Sequence, residues 1–369
     1  MSDKAYKIAV IPGDGTGPEV VAEGVKVLEK ASELYNVPLD FEHFDWGAER
    51  HLRTGEVLSD EEVENLKNYD AIYLGAIGHP DVQSGILERG ILLKLRFALD
   101  QYINFRPVRL YENVSTPLKT KDHKDIDYVV VRENTGGLYT GIGSLEQSGT
   151  PEEFATQTMK YSRHQIERCL RFAFDFARQR HQDSPWRGLS EADVKAGYKA
   201  KVTLCGKSNV LTYMFDLWNR ILDEVSQDYP DVKVDYVHVD AVCIYMVEDP
   251  GRFDVIVTTN MFGDIITDLA AVTQGGMGVA AGANINPEGV SMFEPIGGTA
   301  PDFTGKNEIN PMAAIGAAHL MMNYLGEHKM ANAIEASKKE VILKMDSMAA
   351  AKMGYTTSEI GDQVAAGLK

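Results

Sequence analysis

Short apolar segments alternate with helical patterns along most of the chain, and this alternation constrains the fold more than any other feature. Residues 7–11 form an apolar run typical of a buried strand, and a glycine-rich turn and a helical pattern over residues 20–35 follow it. Further strands are predicted at residues 39–44, 71–76, 128–131, 201–204, 232–239 and 255–258. Further helices are predicted at residues 162–178, 211–225, 313–324 and 331–345. The pattern predicts an α/β fold.

Length and composition narrow the class of protein. A chain of 369 residues exceeds the size of a single growing core, so two domains are expected. The net charge of -17 argues against a nucleic-acid partner, and no segment is apolar enough for a membrane span. Because no export signal is recognisable, we expect a cytoplasmic protein. The three cysteines are widely spaced, which favours buried free thiols over disulfides or a zinc site.

A pair of carboxylates gives the strongest local signal for chemistry. Asp264 and Asp268 are four residues apart in an apolar stretch, so they share one face of a predicted helix. Two solvated acids on a surface would explain the spacing too, but the apolar neighbours favour a partly buried pair. Mg²⁺ or Mn²⁺ prefers such oxygen ligands. Asp240, at the end of the strand pattern 232–239, is a candidate third ligand.

Basic side chains suggest which ligand would bind together with the metal. Arg96, Arg106 and Arg132 each adjoin an apolar pattern, and guanidinium groups suit bidentate carboxylate binding. Singly, each arginine is better explained as a surface or ion-pair residue; together with the acids they indicate a metal-chelated dicarboxylate. Lys207 follows a predicted strand and is a candidate for proton transfer. Tyr139 is either a phenolic acid or a packed aromatic.

Two glycine-rich segments are candidate turns or cofactor loops. Residues 13–17 have GxGxG spacing and carry Asp14, which would face a bound anion, so a tight turn explains them better than a phosphate site. Thr16 and Glu19 have the spacing of a capping box. In residues 297–302, backbone N–H groups could approach a cofactor, and Asp302 could accept from a ribose diol, which favours NAD over NADP.

Seven stretches, spread over nearly the whole chain, resemble the β-decarboxylating dehydrogenases that act on isopropylmalate, isocitrate, homoisocitrate and tartrate. They are IPGDGTGPEV, LLKLRFALDQYINFRPVRL, VVVRENTGGLYTG, GKSNVL, HVDA, FDVIVTTNMFGDIITDLAA and FEPIGGTAPD. The resemblance implies a two-domain α/β fold distinct from the Rossmann fold. It assigns residues 1–104 and 276–369 to a cofactor-side domain and 105–275 to a middle domain with the dimer interface. The polar segment 179–200 is predicted to be a surface insertion.

The resemblance also implies roles for particular residues. Arg96, Arg106 and Arg132 would hold the carboxylates of a malate-type substrate, with Asp240 also in contact, and Asp240, Asp264 and Asp268 would hold the metal. In a homodimer with shared active sites, Asp240 and Lys207 would come from the partner. Lys207 and Asp240 would assist loss of the hydroxyl proton, and Tyr139 would protonate the product of decarboxylation. Contacts to NAD are implied for Glu88, Asn209, Glu294, Gly298, Thr299, Ala300, Pro301, Asp302 and Asn310.

The substrate is expected to carry an apolar branch. By the resemblance, residues 87–96 meet the variable substituent of the malate, where Leu92 and Leu93 offer apolar surface that suits 3-isopropylmalate better than the third carboxylate of isocitrate. A tartrate or D-malate dehydrogenase, a non-catalytic regulatory subunit and a metal-dependent lyase are the alternatives. The family usually has histidine where this chain has Gly297, so an expected contact with adenine is missing.

Overall fold

The computed structural model describes residues 5–369 and confirms an α/β fold. The strands are β1 (Tyr6–Gly13), β2 (Leu39–His43), β3 (Ala71–Ala76), β4 (Ile103–Arg109), β5 (Asp127–Glu133), β6 (Gly143–Glu146), β7 (Phe154–Gln157), β8 (Ala200–Gly206), β9 (Val232–His238), β10 (Val255–Thr258), β11 (Ala281–Ile285) and β12 (Ser291–Pro295). The helices are α1 (Gly17–Tyr35), α2 (Ala48–Thr54), α3 (Asp60–Leu66), α4 (Lys94–Ala98), α5 (Arg163–Arg180), α6 (Glu191–Lys195), α7 (Thr212–Ser226), α8 (Val239–Glu248), α9 (Asn260–Thr273), α10 (Met312–Tyr324), α11 (His328–Ile342) and α12 (Thr357–Ala366).

The chain divides into two compact units. The first contains the described residues up to Gln101 together with Arg109–His123 and Ala271–Lys369. The second contains Tyr102–Val108 and Lys124–Ala270.

Within the first unit, the strands lie in the order β2-β1-β3-β12-β11. β1 pairs in parallel with β2 and β3, β12 pairs in parallel with β3, and β11 is antiparallel to β12. The central strands are buried on both faces: Ile8, Val10 and Ile11 are fully inaccessible, which explains their continuous apolar run. Loops that follow β1, β3 and β12 therefore meet at one edge of the sheet.

Within the second unit, the order is β4-β5-β10-β8-β9, and β5, β10, β8 and β9 run parallel. The apolar residues of β5, β10 and β8 are again buried, and α5 and α7 pack together beside the sheet. β6 and β7 form a separate antiparallel hairpin. The segment 179–200 contains α6 and is mostly exposed, although Trp186 is buried.

Two local predictions were wrong. Thr16 has helical backbone angles and caps nothing; its hydroxyl instead donates to the carbonyl of Thr299 at 3.1 Å, and Glu19 accepts from the backbone N–H groups of Gly305 and Asn307. The strand pattern over residues 232–239 ends at His238, so Asp240 lies in the first turn of α8.

The three cysteines are free thiols as predicted, but Cys243 is only partly buried. Cys169 and Cys205 are buried. Among residues 5–369, no helix is both long and apolar enough to cross a membrane.

Candidate active site

Several predicted site residues of the second unit lie at or just beyond the carboxyl ends of parallel strands. Arg132 lies at the end of β5, directly opposite Thr258 of β10, and α9 begins two residues after Thr258. Lys207 follows β8, and Asp240 follows β9. Because parallel strands end at the same edge, the topology brings these distant segments to one side of the unit.

Arg132 forms the centre of the most constrained cluster. Its side chain is 1% exposed, and its Nη1 donates to Asp264 Oδ1 at 2.5 Å. The hydroxyl of Tyr139 donates to the other carboxylate oxygen, Asp264 Oδ2, at 2.6 Å, and the guanidinium lies 5.3 Å from the Tyr139 ring centroid. Tyr139 therefore has a polar partner and lies beside the predicted metal ligand.

The two carboxylates of α9 differ in their electrostatic environments. Burial opposes ionisation of Asp264, but the charge of Arg132 and the hydrogen bond from Tyr139 outweigh it and lower the pKa of Asp264. Burial and the neighbouring charge of Asp264 raise the pKa of Asp268. Arg106, buried in β4 and held by Asn104 Oδ1 at 2.7 Å, is a nearby positive charge that acts to lower the pKa of both carboxyls.

The carboxylate pair fits a hard divalent cation. Asp264 is held anionic, its side chain is 50% exposed, and a cation would relieve the repulsion that raises the pKa of Asp268. Within residues 5–369, no three His, Cys, Asp or Glu side chains cluster closely enough to hold a metal ion. A single chain therefore does not gather Asp240 with the α9 pair, and its role as a third ligand stays a prediction.

Lys207 and Asp240 form an ion pair. Lys207 Nζ lies 2.7 Å from Asp240 Oδ1, and the hydrogen bond from Lys207 is the main cause of the lowered pKa of Asp240. The Asp240 side chain is 63% exposed, so the pair is open to a substrate or to a second protein surface.

In the first unit, the predicted substrate contacts lie on an unusual helical segment. Residues Glu88–Leu93 form a π-helix that leads into α4, and such segments occur frequently at functional sites. Leu92 and Leu93 are half-buried, and Glu88 accepts from the backbone N–H of Gly85 at 2.9 Å. Arg96 Nη2 lies 3.5 Å from Glu294 Oε1, so a predicted substrate contact pairs with a predicted cofactor contact.

The two glycine-rich loops of the first unit pack against each other. Thr16 N–H donates to Thr299 O at 2.9 Å, and a Cβ on Gly15 would lie 2.3 Å from the same oxygen. Asp14, expected to face any bound anion, is instead buried and accepts from the backbone N–H groups of Ala48 and Gly78 at 2.6 and 2.8 Å. The first loop is thus a structural turn, because its carboxylate fastens neighbouring loops.

The remaining predicted cofactor residues differ in accessibility. Gly298, Pro301, Asp302 and Asn209 are exposed, whereas Thr299 and Ala300 are partly buried. Asn310 is buried beside a cavity of about 490 Å³, but its amide already donates to Met348 O and accepts from Met312 N, both at 3.0 Å. Of these residues, Asn310 has the least freedom to form new hydrogen bonds.

Sequence reasoning missed three residues of the Arg132 cluster: Asn260, Glu133 and Tyr161. Asn260 accepts two hydrogen bonds from Arg132, and its backbone N–H donates to the Tyr161 hydroxyl at 2.7 Å. Glu133 is buried and accepts from the following turn. Glu133 ends β5 and Asn260 follows the end of β10 by two residues, so their position at the ends of parallel strands is a signal that could have identified them.

The fold and the site define a class: an α/β protein with buried arginines beside a carboxylate pair suited to a divalent metal. Comparison with known proteins narrows that class. The family model described as isocitrate/isopropylmalate dehydrogenase matches residues 7–364, and the chain belongs to this family.

Individual relatives agree with the family match. The chain is 48% identical to a 3-isopropylmalate dehydrogenase of Thermobifida fusca, covering 99% of this chain and 98% of the relative. It is 47% identical to a 3-isopropylmalate dehydrogenase of Streptomyces griseus, covering 98% of each. Among solved structures, an isocitrate dehydrogenase from Methylococcus capsulatus is similar, with a TM-score of 0.84, 33% identity, and coverage of 98% of this chain and 99% of that one.

Proposed function

We propose that the protein catalyses the metal-dependent oxidative decarboxylation of 3-isopropylmalate to 4-methyl-2-oxopentanoate with reduction of NAD, a step of leucine biosynthesis in the cytoplasm. Relatives at 46–48% identity over nearly the full length bear the name 3-isopropylmalate dehydrogenase, and this supports the substrate. The observation that carries the chemistry is the contact of Arg132 and Tyr139 with opposite oxygens of Asp264.

The second unit supplies the groups that the reaction needs. Asp264 and Asp268, with Asp240, would hold Mg²⁺ or Mn²⁺, while Arg106 and Arg132 bind carboxylate oxygens through guanidinium donors. When bound, the metal would polarise the substrate oxygen and NAD would accept hydride.

Proton movements belong to the chain's own residues. Lys207 and Asp240, an ion pair in the single chain, are proposed to assist loss of the substrate hydroxyl proton, with the Asp240 carboxylate as its acceptor. When carbon dioxide leaves, the electrons of the broken carbon–carbon bond remain on the substrate carbon. Tyr139 donates its phenolic proton to that carbon and completes the 2-oxo acid.

Specificity and cofactor binding are assigned to the first unit. Leu92 and Leu93 are the proposed contacts of the isopropyl group, and Arg96 is a further carboxylate ligand. NAD is proposed to bind near Glu88, with Asp302 accepting from the ribose. The remaining proposed NAD contacts are Asn209 of the second unit and Glu294, Gly298, Thr299, Ala300, Pro301 and Asn310.

A homodimer with shared sites is part of the proposal. Apolar side chains on α8 and α9 are solvent-exposed in the single chain: Ile244 is 54% and Ile265 55% accessible. The β6–β7 hairpin also exposes Leu145 and Phe154. Such exposed apolar surface supports association with a second copy, which would lend Lys207 and Asp240 to each site.

NADH production across substituted malates, with and without a chelator, tests the reaction. We expect NADH and carbon dioxide in equal amounts from 3-isopropylmalate, with loss of both when EDTA is added and recovery with excess Mg²⁺. Carbon dioxide without NADH would indicate a lyase. No turnover of 3-isopropylmalate, tartrate, D-malate or isocitrate by the purified protein would instead favour a regulatory subunit.

A further inference from the structure

Asn260, the first residue of α9, fixes the orientation of the Arg132 guanidinium. Its side chain is buried, at 1% exposure for the residue. The single oxygen Asn260 Oδ1 accepts from Arg132 Nε at 3.0 Å and from Nη2 at 2.6 Å. Two donors converging on one acceptor define both the position and the plane of the guanidinium, and Nη1 is thereby directed to Asp264.

Asn260 also holds the turn of residues 134–137, which leads to Tyr139. Its Nδ2 donates to the carbonyl of Gly136 at 3.2 Å, three residues before the tyrosine. Its backbone N–H donates to the hydroxyl of Tyr161 at 2.7 Å. The Tyr161 ring packs so closely on the turn that a Cβ on Gly136 would lie 2.4 Å from it.

Glu133 anchors the turn from its other end. The carboxylate is fully buried and accepts from Thr135 N at 2.9 Å, from Thr135 Oγ1 at 2.6 Å and from Gly136 N at 2.8 Å. Gly136 therefore has its N–H fixed by Glu133 and its carbonyl fixed by Asn260. Such complete pairing of a buried turn leaves it little freedom to shift.

We infer that Asn260 is a positioning residue that couples the carboxylate-binding arginine to the proton-donating tyrosine. One amide sets the orientation of Arg132 through its oxygen and the location of the Tyr139 turn through its nitrogen. The inference rests on the proposed function, because the roles of Arg132 and Tyr139 in turnover come from it.

Substitution can test the roles of the amide oxygen and the amide nitrogen of Asn260 separately. Asn260→Asp keeps an oxygen acceptor for Arg132 but loses the donor to Gly136, so the substrate Kd should change less than about threefold while kcat falls about tenfold or more. Asn260→Ala loses both contacts, and both the Kd and kcat should worsen by about tenfold or more. The Kd is measured by calorimetry with Mg²⁺ and 3-isopropylmalate in the absence of NAD.

Thr267→Val is the matched control. Thr267 is also buried on α9, but its hydroxyl donates to the helix carbonyls of Gly263 and Asp264 and not to Arg132 or the turn. We expect this variant to retain the Kd and kcat of the wild type. Equal losses of Kd and kcat in Asn260→Asp and Asn260→Ala would indicate a purely structural role and overturn the inference.

Two further measurements keep the test decisive. If Asn260→Ala does not fold, Glu133→Gln should loosen only the turn and lower kcat with little change in Kd; an unchanged kcat in a folded Glu133→Gln protein would count against the inference. Hydrogen exchange of residues 134–140 does not depend on turnover. Faster exchange in Asn260→Asp than in Thr267→Val would support the anchoring of the turn by Asn260, and it would do so even if an inactive wild type rejected the proposed function. Equal exchange in the two variants would reject the anchoring of the turn.

Discussion

At the scale of single residues, the site depends on a glycine as much as on its charged groups. A Cβ on Gly263 would lie 2.4 Å from Cγ and 2.7 Å from Cβ of Arg132. The buried arginine therefore passes across α9 only because residue 263 has no side chain. The hydrogen bonds of Arg132 to Asn260 and Asp264 require this close approach.

Gly263→Ala should displace Arg132 and weaken substrate binding. We expect the KM for 3-isopropylmalate to rise by about tenfold or more, because an arginine–carboxylate hydrogen bond contributes about 1.5–3 kcal/mol. The free energy of unfolding provides the control, since alanine in place of glycine within an unobstructed helix would stabilise it by up to about 1 kcal/mol. A Gly263→Ala protein that is more stable than the wild type and has an unchanged KM would contradict the predicted clash with Arg132.

Gly297→His should improve NAD binding. A Cβ at this position meets nothing closer than Met277 O at 3.8 Å, so the backbone and the space accept a side chain. Stacking of the imidazole on adenine is worth about 1 kcal/mol, which predicts a roughly fivefold lower KM for NAD. Gly297→Ala is the control and should leave that KM unchanged; an unchanged KM in the histidine variant would show that adenine does not contact residue 297.

The types of residue that form the site could be predicted from the sequence, but the contacts between those residues could not. Asp264 and Asp268 were predicted to share a helix, and α9 confirms it because the four-residue spacing is local. The contact of Arg132 with Asp264 spans 132 positions and depends on the parallel pairing of β5 with β10. No spacing rule reports such a contact, and the partners of Asn260 were hidden for the same reason, because Arg132 and Gly136 lie 128 and 124 positions away.

At the scale of secondary structure elements, α11 carries a buried ion pair that stabilises the first unit. Lys338 is 4% exposed and lies 2.8 Å from Glu335 Oε2, with its Nζ 4.8 Å from the Tyr111 ring centroid. Burial alone would raise the pKa of Glu335, but the charge of Lys338 outweighs it and lowers that pKa to about 2. Burial would likewise lower the pKa of Lys338, and Glu335 raises it instead.

This pair predicts a defined loss of stability in acid. Because the pKa of Glu335 is depressed in the folded state, its contribution is complete above the ordinary glutamate pKa of 4.5 and is lost as the pH falls towards about 2. Glu335→Gln should lower the free energy of unfolding at pH 7 by about 3–5 kcal/mol, since Lys338 is left buried without its partner. Urea denaturation of both proteins at pH 7 and pH 3 should show a smaller difference at pH 3; an equal difference at both would contradict the coupling.

The strands with continuous apolar runs were predicted, and so were β2 and β9, but β4 and β11 were missed. β1, β3, β5 and β10 are buried over most of their length and appeared as continuous apolar segments. β4 was missed because Arg106 and Pro107 interrupt its apolar run, and β11 because alanine, glycine and asparagine dominate it. The predicted strand 232–239 ran one residue too far because Val239, an apolar β-branched residue, opens α8.

At the scale of the whole molecule, the proposed sharing of sites predicts recovery of activity on mixing two inactive proteins. Lys207→Met and Asp264→Asn should each inactivate every site of a homodimer. In a heterodimer of the two, one site would combine Asp264 of the first chain with Lys207 of the second and be intact.

An equal mixture of the two variants should therefore recover about a quarter of wild-type activity once the subunits have exchanged. Half of the dimers are then hybrid, and half of the sites in each hybrid are intact. Exchange is promoted with mild urea and followed by dialysis, and each variant treated alone serves as the control. Sites built within one chain would remain inactive in the mixture, which would contradict the sharing of Lys207.

Steady-state kinetics with 3-isopropylmalate, D-malate and isocitrate tests directly whether the substrate is a malate with an apolar branch. Burial of the isopropyl group against Leu92 and Leu93 contributes on the order of 2 kcal/mol, so kcat/KM for 3-isopropylmalate should exceed that for D-malate by at least about tenfold. Isocitrate should be poorer still, because its third carboxylate would be desolvated without a partner. A kcat/KM for D-malate or isocitrate equal to or above that for 3-isopropylmalate would contradict the proposed function.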